Sequence, residues 1–83
     1  MGTALSNRDR AILRAVGTGH AELVAGAADL YVDGRHCCDQ FAARRLAEAG
    51  LIAAAAPAVA GQRVRARLTV AGRAELAGIR LAG

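Results

Sequence analysis

Four residues in a row, His36, Cys37, Cys38 and Asp39 in the stretch DGRHCCDQ, have side chains that can bind a metal ion. A structural zinc site needs about four ligands, and its cysteines are usually separated so that both thiolates reach the ion. Adjacent cysteines on a helix point about 100° apart, and the only other histidine is His20. His36, Cys37 and Cys38 are therefore metal candidates by residue type, and a complete metal site within one chain is not expected. A site shared across a dimer stays open.

The two thiols have two further interpretations. Neighbouring cysteines rarely bridge, and disulfides are uncommon in the cytosol, so both are expected as thiols. The structural interpretation is that one packs as a small apolar group while the other lies near the surface. The functional interpretation is that Cys37 and Cys38 act in redox sensing, because a helix N-terminus and the nearby Arg35 would lower the pKa of a thiol. Both interpretations stay open.

The basic residues are all arginine, 11 of them, and the formal net charge is +4 with a pI near 10.5. Such a charge favours anionic partners, although many small proteins carry a mild positive charge without using it. The most regular pattern is the alternation of Arg63, Arg65 and Arg67 with apolar residues, which predicts a strand with three guanidinium groups on one face. These arginines either contact phosphate groups or form an ordinary exposed strand face.

The 83 residues are expected to form one domain, 1–83, with a core built mainly from alanine and other small apolar residues. Such a thin core favours a homodimer. The segment around Asp33-Gly34 allows two predictions, because its residues fit the end of a helix and also the turn of a hairpin. The expected elements are a helix over about 6–17, a helix over about 21–32, a helix over about 38–49, two strands within 51–69 and a helix over 70–80.

Two stretches carry a resemblance to a known family. RRLAEAGLI, residues 44–52, resembles the end of a recognition helix that enters a β-wing, and RLTVAGRAEL, residues 67–76, resembles the junction between wing and helix in MarR-like regulators. The middle of the chain is similar to small winged-helix proteins of actinobacteria. The resemblance implies an α+β fold of the mainly helical winged helix-turn-helix kind, with three to four helices and a two-stranded β-wing. The dimerisation helices of a full MarR protein are missing, so no effector pocket is implied.

On that fold, we expect a small double-stranded DNA-binding protein that regulates transcription. The helix over 38–49 would enter the major groove, and the wing would lie along the backbone. Gln40 would hydrogen-bond adenine, Phe41 would touch a thymine methyl group, and Arg44 would reach guanine or phosphate. The structural interpretation is that Phe41 is partly buried, in this fold or at an interface, and that Arg44 belongs to a salt-bridged helix face with Glu48. The expected DNA-binding residues are Arg35, Gln40, Phe41, Arg44, Arg63, Arg65 and Arg67.

A competing hypothesis is a protein-interaction module of the same fold. The loop AAAPAVAG between the last two strands is apolar, Asp39 and Glu48 lie on the helix, and an exposed Phe41 would mark a partner surface. No glycine-rich phosphate loop, paired carboxylates or Ser–His–Asp order is present, so neither an enzyme nor a cofactor nor a small-molecule substrate is expected. Without a signal-peptide pattern or an apolar run that could span a bilayer, the chain is expected in the cytoplasm and not in a membrane.

Overall fold

The computed structural model describes residues 5–27, 29–36 and 39–78. Within them the chain forms three helices and five strands, in the order α1 (Asn7–Gly17), β1 (Ala21–Val24), β2 (Leu30–Val32), β3 (Arg35–His36), α2 (Gln40–Glu48), β4 (Ile52–Ala54), β5 (Arg63–Leu68) and α3 (Val70–Ala77). All five strands belong to one antiparallel sheet with the order β3-β2-β1-β5-β4. The fold is therefore α+β, with three helices and a five-stranded sheet.

The expected fold class, a mainly helical winged helix-turn-helix with a two-stranded wing, is wrong. No helix forms over the described part of 21–32: this segment folds into β1 and β2, which pair with Leu23 opposite Leu30. The two strands expected as a separate wing, β4 and β5, do pair with each other, but β5 also pairs with β1 and so lies inside the larger sheet. Strand pairing thus replaces one of the predicted helices.

The apolar residues of this segment fit both a helix and a pair of strands. Leu23 and Leu30 are seven residues apart, which places them on one face of a helix. In the structure they face each other across two strands instead, and both are buried. Ala21 and Leu23 are buried whereas Glu22 and Val24 are only half-buried, which is the two-residue alternation of a strand.

The hairpin alternative for the Asp33-Gly34 segment is confirmed. Val32 pairs with Arg35, and the two residues between them, Asp33 and Gly34, have φ values of 53° and 78°. Positive φ at both positions is the conformation of a two-residue turn that matches the twist of the flanking strands, and Asp and Gly tolerate it. This turn fixes β2 and β3 as neighbours at one edge of the sheet.

The three remaining helices lie where the sequence predicted them, with small differences at their ends. Ser6 and Asp9 form a capping box at the start of α1: the Asp9 N–H donates to Ser6 Oγ at 3.1 Å, and the Ser6 N–H donates to the Asp9 carboxylate at 3.0 Å. Asp39 caps α2 and Thr69 caps α3 through the same kind of side-chain acceptor. The predicted end of the last helix, at 80, lies outside the described residues.

The two stretches that carry the family resemblance meet in the structure. Thr69 donates from its hydroxyl group to the Gly50 carbonyl at 2.6 Å and from its N–H to the Leu51 carbonyl at 3.1 Å. Its hydroxyl oxygen also accepts from the Gly72 N–H at 3.0 Å. A Cβ on Gly72 would collide with the Leu51 carbonyl oxygen, so only glycine lets α3 approach this closely. We refer to Gly50, Leu51, Thr69 and Gly72 as the α2–α3 joint.

One layer of helices covers one face of the sheet. The buried core joins apolar residues of α1, α2 and the strands, with Leu13, Leu30 and Leu46 as its largest fully buried side chains. The strand residues between the core positions face away from this layer, and Arg63, Arg65 and Arg67 among them are exposed. The sheet therefore has an open face. None of the described helices is long and apolar enough to cross a membrane.

Candidate nucleic-acid interface

The three arginines of β5 lie on the open face, as their alternation predicted. Arg63, Arg65 and Arg67 are exposed, whereas Ala66 and Leu68 between and beyond them are buried in the core. Alternate residues of a strand are about 6.6 Å apart, so the three Cα atoms span about 13 Å. We refer to Arg63, Arg65 and Arg67 as the arginine ladder.

The ladder is held differently at its two ends. Arg63 Nε lies 3.3 Å from the Glu22 carboxylate, and its guanidinium carbon lies 4.3 Å from the centre of the Tyr31 ring. These contacts fix the direction of the Arg63 side chain. Arg65 and Arg67, in contrast, form no salt bridge with any residue of the described ranges. Their two guanidinium groups can therefore bind an anion without first breaking an ion pair.

Tyr31 and His36 extend the open face across the first hairpin. They are paired in register, and their rings meet edge to face with centroids 5.2 Å apart. Tyr31 is opposite Glu22, which is opposite Arg65, so one row of side chains crosses the sheet from His36 to the ladder. Sequence reasoning missed Tyr31 as part of this surface. Its place two residues before the Asp33-Gly34 turn would have indicated the face once the hairpin had been chosen.

The candidates for metal binding are His36, Cys37 and Cys38, and the two cysteines are also the redox candidates. No group of three or more possible ligands (His, Cys, Asp or Glu) that could hold a metal ion occurs among the residues described. His36 is exposed and contacts Tyr31. Cys37 and Cys38, which the sequence analysis named for both metal binding and redox sensing, lie outside the described residues.

Gln40 makes an intramolecular contact that the sequence did not indicate. The Leu30 N–H donates to Gln40 Oε1 at 2.9 Å, and Gln40 Nε2 donates to the Leu30 carbonyl at 2.8 Å. The amide thus pairs with the outer edge of β2 as a neighbouring strand would, and ties the start of α2 to the sheet. To hydrogen-bond adenine, Gln40 would have to release both of these bonds.

Phe41 is fully presented to solvent, with 76% of its surface exposed. The alternative that it is partly buried within this fold is therefore wrong. The guanidinium carbon of Arg45, one helical turn further along α2, lies 5.9 Å from the centre of the Phe41 ring. An exposed phenyl ring at the start of a helix has no structural role in the core.

The arginines of α2 are balanced by carboxylates. Arg45 donates to the buried carboxylate of Asp9 at 2.7 Å, and Arg44 lies 3.9 Å from Asp29. The expected partner of Arg44 was Glu48, on the same helix, and the structure places Asp29 there instead. Ion pairing of this kind leaves little net positive charge on the exposed side of α2.

Asp39 links the start of α2 to α1. Its carboxylate accepts from the Ala42 N–H at 2.9 Å and from Arg8 at 3.0 Å. The Ala42 N–H, and after it the Arg8 guanidinium, hold the pKa of Asp39 below its ordinary value of 3.8. Asp39 is therefore a charged helix cap at neutral pH.

The expected DNA-binding residues divide between two sides of the molecule. Arg35 pairs with Val32, whose side chain packs against the core, so Arg35 lies at the sheet edge on the side of the helices. Phe41 and Arg44 belong to the helix layer, and the ladder lies on the opposite face of the sheet. The structure thus separates the arginine ladder from the α2 residues, although the sequence predicted one DNA-binding surface for both.

In comparisons with known proteins, no family model, no curated protein and no solved structure matches this chain.

Proposed function

We propose that this protein is a DNA-binding protein, acting in the cytoplasm as a transcriptional regulator, and that the arginine ladder contacts the phosphate groups. The observation that carries the proposal is the exposure of three guanidinium groups on one open sheet face, two of them without a salt bridge to any described residue. Positively charged side chains in a row suit a phosphate backbone, where each contact releases a counterion.

The neighbours of the ladder support contact with a nucleic acid. Tyr31 and His36 lie on the same face and offer ring surfaces beside the guanidinium groups. Arginine and aromatic side chains together are the usual composition of nucleic-acid-binding surfaces. Glu22 lies among them, but it is already paired with Arg63.

Major-groove reading by α2 is the part of the original hypothesis that the geometry supports least. Gln40 is engaged with Leu30, Arg45 with Asp9, and Arg44 lies near Asp29. Phe41 and Arg44 therefore remain secondary DNA contacts in the proposal. A homodimer remains part of it as well, because a second copy would double the number of phosphate contacts and add to a small core.

The test is fluorescence anisotropy with random-sequence duplex DNA at several salt concentrations. We expect micromolar binding that weakens steeply with salt, with a slope of the log–log plot of about −0.9 for each phosphate contacted. Replacing Arg65 and Arg67 with alanine should weaken binding at least about tenfold and reduce the slope by about two, one for each arginine.

The matched control removes two arginines from the helix layer, Arg8 and Arg10 of α1. This variant loses the same charge, so it separates a local contact from a general effect of net charge. It should bind DNA more tightly than the ladder variant. If the control loses more affinity than the ladder variant does, the helix layer binds DNA and the ladder proposal is wrong.

A second candidate function, a protein-interaction module, is favoured by the exposure of Phe41 and of Val59, 76% and 74%. Val59 belongs to the apolar loop between β4 and β5. Exposed apolar side chains mark a protein-binding surface where they form a contiguous patch. Absence of DNA binding at low salt in the same experiment would favour this function over DNA binding.

A further inference from the structure

A groove opens beside the ladder, between the end of α1, the second half of β5 and α3. Its volume is about 730 Å³. It exists because β1 pairs only with residues 63–65 of β5, so the rest of that strand has no neighbour on this side. The last residue of α1 and the turn after it, residues 17–19, form the opposite wall.

Four arginines line this groove, and they come from three different elements. They are Arg14 of α1, Arg65 and Arg67 of β5, and Arg73 of α3. None of the four forms a salt bridge with a described residue, and no described Asp or Glu lines the groove. On the α2 side of the molecule, each guanidinium group of Arg8, Arg44 and Arg45 has a carboxylate within 4 Å. The groove thus brings together four of the six described arginines that form no salt bridge with a described residue.

Apart from the four arginines and Thr18, the lining consists of apolar residues and glycines. Val16, Leu68 and Leu76 contribute to it, and Gly17 brings α1 close to β5: a Cβ there would lie 3.0 Å from Leu68 Cδ1. A ligand that fits would combine negative charge with a flat or apolar part. The C-terminal end of α1 opposes an anion with roughly half a unit of negative charge, which is far less than four guanidinium groups supply.

We propose that this groove binds the phosphate group of a nucleotide, with the base or sugar against the apolar wall. The size of the groove is that of an ordinary small-ligand site. Bidentate guanidinium groups are the side chains best matched to phosphate oxygens. The nucleotide is either free or part of a nucleic-acid strand. The inference shares Arg65 and Arg67 with the proposed function, and it adds Arg14 and Arg73, which lie off the ladder.

Bringing four like charges together without a counter-charge destabilises the fold, so an anion in the groove should stabilise it. The first measurement is therefore the thermal unfolding midpoint with inorganic phosphate, and with a mononucleotide, against sodium chloride of equal ionic strength. We expect both anions to raise the midpoint beyond the chloride control.

Two variants locate the effect. Replacing Arg14 and Arg73 with alanine removes half of the groove charge and leaves the ladder intact; replacing Arg63 changes the ladder and leaves the groove intact. Alanine is compatible with the helices that contain Arg14 and Arg73, and circular dichroism checks that both variants are folded. We expect the first variant to lose the phosphate-induced shift and at least about tenfold in nucleotide affinity, and the second to keep both.

The outcomes distinguish a free nucleotide from a nucleic-acid strand as the ligand, and they distinguish the groove inference from the proposed function. Mononucleotide binding that the Arg14/Arg73 variant loses shows a site for a free nucleotide. If the Arg14/Arg73 variant loses binding to a single- or double-stranded oligonucleotide but not to a mononucleotide, the groove is a site for a nucleic-acid strand. If the wild type gains no stability from phosphate and the Arg14/Arg73 variant binds every probe as the wild type does, the groove inference is wrong. Duplex binding that depends on Arg65 and Arg67 would then still support the proposed function.

Discussion

At the scale of single residues, neighbours on α2 have different roles. Arg45 reaches Asp9, whose side chain is 4% exposed, whereas the Arg44 contact with Asp29 is longer and exposed on both sides. Removing the partner of a buried carboxylate leaves it desolvated with fewer hydrogen bonds, and this costs far more than losing a surface ion pair. The Asp9 carboxylate would keep only its bond from the Ser6 N–H among the contacts described here.

We therefore expect Arg45→Ala to lower the free energy of unfolding by about 2–3 kcal/mol, because Arg45 is itself half exposed and the buried carboxylate gains some water. Arg44→Ala, the matched control one residue away, should lower it by less than about 1 kcal/mol. Urea unfolding of both variants measures the difference. Equal losses would mean that the Arg45–Asp9 bond does not contribute as its burial suggests.

At the scale of elements, the α2–α3 joint sets the position of the last helix. Gly72 lies inside α3, where alanine would normally be the better helix former by about 1 kcal/mol. Contact with the Leu51 carbonyl overrides that preference, because a backbone atom cannot move aside. Thr69 has a double role here, as the cap of α3 and as the hydrogen-bond donor to Gly50.

Gly72→Ala is expected to destabilise the protein by about 3 kcal/mol, since overpacking against a backbone cannot be relieved by a rotamer change. Gly17→Ala is the control: it is also a helical glycine, and the atom its Cβ would meet is the flexible end of Leu68. This control should change stability by less than about 1 kcal/mol. Denaturant midpoints of the two variants, compared with the wild type, test the joint; equal effects would contradict it.

At the scale of the whole molecule, charge is divided between paired and unpaired regions. Carboxylates pair with Arg8, Arg44 and Arg45 of α1 and α2, while Arg65 and Arg67 of the sheet face and Arg14 and Arg73 of the groove form no salt bridge with a described residue. Asp39 belongs to the paired region and holds α1 and α2 together through Arg8 and the Ala42 N–H. Its protonation state therefore affects the packing of two helices and not only a local turn.

Acid should weaken this linkage in a defined direction. The pKa of Asp39 is lower in the folded protein than its ordinary value of 3.8, so its carboxylate contributes stability above that value. The contribution is lost as the pH falls through the lower, folded pKa. Asp39→Asn keeps a capping oxygen and removes the charge, so the variant should be less stable than the wild type at pH 7.

Urea unfolding between pH 7 and pH 2 measures this difference, which we expect to shrink as the pH falls below 4. Asp33→Asn is the control, because Asp33 lies in an exposed turn whose positive φ asparagine also tolerates. A difference for Asp39→Asn that stays constant over the whole pH range would contradict the role of the charge.

Short-range patterns in the sequence determined a large part of this structure. The capping box at Ser6, the caps at Asp39 and Thr69 and the alternation along β5 involve residues a few positions apart, and the helices and strand that they belong to lie where the sequence predicted them. The Asp33-Gly34 pair also indicated a hairpin turn, because positive φ at two successive positions is a local property. Of the candidate site, the shared face of the ladder arginines was predictable for the same reason.

The remaining features depend on contacts between distant parts of the chain. Leu23 and Leu30 satisfy a helix and a strand pair equally well, and pairing of β1 with β5, 40 residues further on, decides for the strands. Arg45 finds Asp9 across 36 residues of sequence. The grouping of Arg14 and Arg73 with the ladder has no local signal, because only the packing of α1 and α3 against β5 brings these charges to one groove.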